Sequence, residues 1–199
     1  MRRILLFLAV LCITPSSFAA PKDGTFFLST SAFMLANLDQ ETDEPPRFAQ
    51  LNLGYHLTSR DTLALELITW RYYKPHGALW ASTLPSETFP GHVTSHGAGL
   101  AYQRFLGSTS NFYLGLHATW FQQEYRNTKT NLSDWGHQLF ATFRLGYRFE
   151  WVSGRFFLEP SIAVTHWPIE SGMPADFQAQ ESKWAKFQVE PGAHIGITF

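Results

Sequence analysis

Five ionisable residues, Glu66, Arg144, Glu159, Glu190 and His194, fall on the polar side of segments whose alternate residues are apolar. Carboxylates, a guanidinium and an imidazole enclosed together can do one of two things. They can hold and pass a proton as a catalytic or conducting cluster, or they can neutralise one another as a structural network. Counted upward from the ends where these segments meet in short turns, Asn52, Glu66, Arg144, Glu159 and His194 lie near one level. A charge in a narrow, poorly hydrated interior costs several kcal/mol unless it is paired. The expected arrangement is therefore Arg144 against Glu159 on the neighbouring segment, with Glu66 and Glu190 in reach, as an interior polar plug.

Other chemistries find little to work with. The chain has no G-x-S-x-G elbow, no H-E-x-x-H pair and no phosphate-binding glycine loop, which sets aside phosphoryl transfer, nucleotide binding and zinc hydrolysis. His76, His92, His96, His137 and His166 show no metal-ligand spacing. Asp39, Glu41, Asp43 and Glu44 read as a solvated acidic loop. No metal and no cofactor is expected. A net charge of −1 argues against a nucleic-acid partner.

The elements that must position these residues are eight alternating segments: Thr25–Leu38, Arg47–Leu57, Asp61–Tyr73, Val93–Leu106, Asn111–Tyr125, Gly136–Phe149, Gly154–Trp167 and Trp184–Phe199. A strand turns successive side chains to opposite faces. The last segment sets Phe187, Val189, Pro191, Ala193, Ile195, Ile197 and Phe199 on one face and Lys186, Gln188, Glu190, Gly192, His194, Gly196 and Thr198 on the other. The segment from Gly136 is the clearest, with Leu139, Ala141, Phe143, Leu145, Tyr147 and Phe149 alternating with Gln138, Phe140, Thr142, Arg144, Gly146 and Arg148. Connections Thr58–Arg60, Gly107–Ser110 and Glu150–Ser153 are tight, whereas Lys74–His92 and Pro168–Lys183 are long.

Residues 1–19 are expected to be a secretory signal peptide: Arg2 and Arg3, an apolar run from Ile4 to Ile13, and the small-x-small Ser17-Phe18-Ala19. Cys12, the single cysteine, would leave with it, so residues 20–199 would form one thiol-free domain. No later stretch supplies the roughly 18 consecutive apolar residues of a membrane helix. The aromatic content of 16%, with Phe 18, suits a membrane barrel, whose alternating strands dilute hydropathy and whose rims carry aromatic girdles.

In its alternation of short and long connections, its strand number and its terminal Phe199, the chain resembles the small eight-stranded outer-membrane β-barrels of the OmpA and OmpX type. The resemblance implies an all-β fold: an antiparallel up-and-down transmembrane barrel in the outer membrane of a Gram-negative bacterium. Both termini would be periplasmic and the longer loops extracellular. It also implies that Phe199 is a signal read by the barrel-assembly machinery. Outer-membrane lipids and lipopolysaccharide would be the partners, with Arg71, Lys74, Arg126, Lys129, Lys183 and Lys186 suited to phosphate groups.

Pro160 and Pro191 give a second reading. Proline donates no ladder bond and is unusual inside a sheet. A register taken from Trp167 and Trp184 sets the two prolines opposite each other. This is similar to the lipid A palmitoyltransferase barrel, where prolines open the wall to acyl chains. The function expected is a structural or interaction barrel rather than an enzyme. The alternatives are a lipid A-modifying enzyme with lateral access at Pro160 and Pro191, or a narrow solute pore. Inward Phe27, Phe33, Phe121, Phe140 and Phe157 argue against the pore.

Overall fold

A computed structural model describes residues 23–38, 47–77, 89–107 and 111–199. The signal segment, the acidic residues Asp39, Glu41, Asp43 and Glu44, and most of the long connection after Lys74 lie outside the described residues. Among the described residues the strands are β1 (Phe26–Ser31), β2 (Arg47–His56), β3 (Asp61–Tyr72), β4 (Gly91–Phe105), β5 (Phe112–Asn127), β6 (Leu132–Tyr147), β7 (Phe149–Trp151), β8 (Phe156–Ser171) and β9 (Phe187–Thr198), with one α-helix, α1 (Ala175–Glu181). Strands β1 to β6 pair antiparallel in sequence order, as do β7 with β8 and β8 with β9; β1 pairs with β9, and β8 also pairs with β6. Because β7 continues the line of β6, the sheet is a closed eight-stranded antiparallel up-and-down barrel, the expected fold class.

Period-two patterning sets the faces. Leu51, Leu53, Leu63, Leu65, Leu67, Leu100, Leu116, Phe143, Leu145, Ile162, Val189, Ile195 and Ile197 point outward and are exposed, while Gln50, Asn52, Glu66, Gln103, His117, Thr119, Glu159 and His194 are buried inside. The lumen is packed rather than open. Four inward rings lie over a glycine directly across the ladder: Phe27 over Gly54, Tyr113 over Gly146, Phe121 over Gly97 and Phe157 over Gly196. A Cβ at any of the four glycines would meet the ring at 2.5 Å or less. Small residues thus make room for large ones in a barrel just wide enough for side chains to fill.

Three departures from the expected segments have local causes. The first strand stops at Ser31, and Ala32–Leu38 winds into a 3-10 helix that brings Phe33 and Met34 against the cluster of Phe48, Ile68 and Phe121. Asn37 replaces the lost ladder: its Nδ2 donates to the Phe48 carbonyl at 2.6 Å and its Oδ1 accepts from the Phe48 N–H at 2.7 Å. The seventh segment does not end at Trp167 but runs to Ser171, carrying Pro168 through a register shift opposite Leu139 to Ala141. An irregularity in the ladder is a place where a strand tolerates proline. The turn expected at Glu150–Ser153 sits two residues later, at 152–155, where Val152, Ser153 and Gly154 all take positive φ.

The short turn before β3, at residues 57–60, and the turn at 152–155 lie at one end of the barrel, where the β1–β9 seam ends at Phe26 and Phe199. There Phe26 and Phe199 exchange two backbone hydrogen bonds, of 3.1 and 2.9 Å, and stack their rings. At the opposite end α1 covers the mouth. Phe177 of α1 is buried in a cluster with Tyr72, Phe89, Val93 and Tyr125. Asn127 at the end of β5 donates to Asp176 of α1 at 2.6 Å.

Candidate functional site

The barrel interior holds the residues singled out by the sequence, in two connected groups. The middle group is centred on Glu66 of β3. Its carboxylate accepts from Gln50 Nε2 at 2.7 Å and from Thr119, and lies 3.2 Å from His117 Nδ1. Asn52, directly opposite Glu66 in the ladder, bonds Gln50 and Ser29. The His117 ring stacks on His194 with centroids 6.1 Å apart, so Glu66 and His194 are linked across the lumen through His117. The members come from β1, β2, β3, β5 and β9, all at inward positions, and the two pairs that share a strand, Gln50 with Asn52 and His117 with Thr119, stand two residues apart, as alternation requires of residues that meet inside a barrel.

The second group lies toward the short-turn end and is built on Arg148. Its Nε donates to Glu159 Oε1 at 2.6 Å, and its Nη1 lies 3.7 Å from Glu150 Oε1. The guanidinium is boxed by the rings of Phe157, Phe105 and Phe27 at 4.3, 5.0 and 5.7 Å. Gln103 donates to the other oxygen of Glu159 at 3.2 Å. A delocalised guanidinium suits this place because it forks to two carboxylates and stacks on aromatic faces.

The expected pairing of Arg144 with Glu159 is not formed. Arg144 stands opposite Ala163, and the cross-strand row through Ala163 continues to Glu190. The β7–β8 register instead carries Arg148 alongside Glu159. Arg144 Nη1 bonds Ser161 at 3.2 Å, and no carboxylate among the described residues lies within ion-pair distance of it. Neighbouring strands are staggered, so residues at equal distances from their turns do not stand at equal heights. Arg148 was legible as inward from the same alternation, and its position opposite Glu159 follows once the hairpin turn is placed at 152–155.

The two prolines are likewise offset. Pro160 faces Ala193 and Pro191 faces Ile162, two residues from the register that would oppose them. Both point outward. The pairings Gly146 with Ser161 and Phe149 with Leu158 set Tyr147 against Pro160 and Arg148 against Glu159, and the ladder is interrupted there, between β6 and β7. The ladder is interrupted beside one proline with its register unchanged on either side, not across a facing pair.

A small cavity between the two groups is lined by Ser29, Asn52, Gln103, His117, Glu159 and His194 among others. Its polar lining suits water, and neither ring nitrogen of His194 has a hydrogen-bond partner on the protein. With ion pairs below and aromatic rings above, the interior is organised to be filled.

With this geometry in view, the chain is similar to a solved structure, the N-terminal β-barrel domain of Pseudomonas aeruginosa OprF, with a TM-score of 0.51 over 90% of this chain and 100% of that one at 13% identity. The two share a fold. No protein-family model matches the sequence, and no curated protein matches it. The likeness bears out the OmpA-type barrel class as an architecture; at this identity it carries nothing about individual side chains.

The mouth holds a group that the sequence did not single out. His76, in a turn after β3, Glu170 near the end of β8 and Glu181 at the end of α1 bring one ligand atom each within 4.8 Å of one another. They stand far apart in sequence, so no motif spacing announces them.

Proposed function

We propose that the protein is an integral outer-membrane barrel of structural or interaction type, held rigid by its filled interior and presenting its long connections to the cell exterior. The observation that carries this reading is the inverted polarity of the fold: an exposed outward band of Leu, Ile, Val and Phe around an interior where buried Glu, Arg, His, Gln and Asn stand among packed aromatic rings. Soluble barrels bury apolar residues inside, whereas a membrane barrel turns them to lipid and keeps polar groups within. Among the described residues no helix is long and apolar enough to cross a membrane. The short-turn end, where the β1–β9 seam ends at Phe26 and Phe199, would face the periplasm and the α1-covered mouth the outside. Lipopolysaccharide and phospholipid would surround the wall, and the barrel-assembly machinery would handle the chain during insertion. The packed lumen supports a non-conducting barrel.

The test is fractionation of cells expressing the chain. A heat-modifiable, folded band in the outer membrane is expected, and recovery as a soluble periplasmic protein would refute the reading. Single cysteines at exposed Lys183 and Arg60 read the orientation. A membrane-impermeant maleimide added to intact cells should label Lys183→Cys and spare Arg60→Cys. The purified barrel in planar bilayers should add no steady conductance.

A further inference from the structure

We propose that the barrel mouth is a binding site for a divalent transition-metal ion, with His76, Glu170 and Glu181 as its protein ligands. Their three ligand atoms converge within 4.8 Å from three separate segments. An imidazole with two carboxylates is a nitrogen–oxygen donor set of the kind that takes zinc with water completing the shell.

The state of His76 points to a ligand independently of that convergence. It is 2% exposed, yet neither ring nitrogen makes a hydrogen bond. Nδ1 lies 2.6 Å from Glu181 Oε1, within ion-pair distance, and Nε2 has no hydrogen-bond partner. A buried polar group without a hydrogen bond is costly. His76 also sits at φ 51, in the left-handed region that side chains other than glycine rarely adopt. Strained backbone is kept where the surroundings enforce it, and it clusters at ligand sites.

The surroundings hold the donors in place. The His76 ring stacks on Trp167 at 4.3 Å between centroids, and its backbone N–H donates to both oxygens of Glu181 at 3.2 Å. Glu170 accepts from Gln138 at 3.3 Å and from Lys186 at 3.1 Å, one on each oxygen, leaving lone pairs free on both. Such outer contacts orient metal ligands without displacing the metal. Two carboxylates converge here on one imidazole, and Lys186, which pairs with Glu170, is largely exposed. A bound dication would offset that negative charge. It would also tie the turn after β3, the end of β8 and the end of α1 together, fastening the cover on the barrel. Metal binding at the mouth would be the same whichever compartment the mouth faces.

The experiment is titration of the refolded full barrel in detergent with zinc alone, against a chromophoric chelator, with heat-modifiable migration as the check of folding. One zinc per barrel at micromolar affinity or tighter is expected. His76→Ala and Glu181→Gln should each weaken binding at least tenfold, Glu170→Gln should weaken it several-fold, and His96→Ala and His137→Ala, which remove exposed rim histidines, should leave it unchanged. Cobalt loading of the unmodified barrel serves if the buried variants fail to fold; visible bands of low-coordinate Co2+ that zinc abolishes would support the site. Absence of saturable binding, no cobalt bands displaced by zinc, or binding removed by His96→Ala or His137→Ala but not by the mouth variants would overturn the proposal.

Discussion

Arg148 and Glu159 meet across the β7–β8 pairing through a 2.6 Å bond from Nε to Oε1, with both side chains almost completely buried. This contact, not one from Arg144, is the main ion pair of the interior. Removing one member of a buried pair strands the other charge, which typically costs about 3–5 kcal/mol. Arg148→Met should destabilise the folded barrel by about that amount. Glu159→Leu in the same background should recover much of it. In a double-mutant cycle measured by urea unfolding in lipid, Arg148 and Glu159 should couple strongly. Arg144 and Glu159 should add to within about 0.5 kcal/mol, the behaviour of residues that share no contact. Strong coupling of Arg144 to Glu159 would mean that the β6–β8 register is wrong.

Gly54 makes room for the Phe27 ring, which an added Cβ would meet at 1.9 Å. Phe27 also packs edge-on against Phe157, which rests over its own glycine, so it has little freedom to turn away. Gly54→Ala should therefore cost about 1–3 kcal/mol, the usual range for overpacking. Phe27→Leu should relieve part of that penalty when the two are combined. Unfolding midpoints of the two single variants and the double variant decide the matter, and a Gly54→Ala barrel as stable as the parent would show that the ring is not confined.

The barrel is legible in the sequence because one physical rule, alternation of side chains, operates along nearly every strand. The faces of Leu51 and Asn52, of Leu65 and Glu66, and of Phe143 and Arg144 follow from it directly. Heights inside the barrel are a different matter. They depend on stagger, which shifted the partner of Glu159 from Arg144 to Arg148 and offset Pro160 from Pro191 by two residues. Local competition also escapes a period-two reading. Ala32 to Leu38 keeps the alternation of a strand yet coils, because Asn37 satisfies the Phe48 backbone and Phe33 finds a packed place above Ile68 and Phe121. The mouth cluster was least legible, since His76, Glu170 and Glu181 meet only after the chain has closed on itself.

Phe199 offers the last prediction. Its ring is 63% exposed and faces outward, so its burial inside the barrel contributes nothing. Its backbone, however, exchanges two hydrogen bonds with Phe26, and the next bond along, from Thr198 N–H, goes to Arg155. The last residues therefore zip β9 to β1 on one side and stay bonded beside β8 on the other. Deleting Phe199 removes both Phe26 bonds at the seam and the ring stacked on Phe26. At about 0.5–1.5 kcal/mol for each hydrogen bond, the loss is modest for a finished barrel. A deleted chain refolded in detergent should thus still give the heat-modifiable band, with a slightly lower unfolding midpoint. In cells the same deletion should sharply reduce the band in the outer membrane if Phe199 acts as the assembly signal that the resemblance implies. Equal loss in both settings would make Phe199 a stability residue alone, and equal recovery in both would remove it from assembly and stability together.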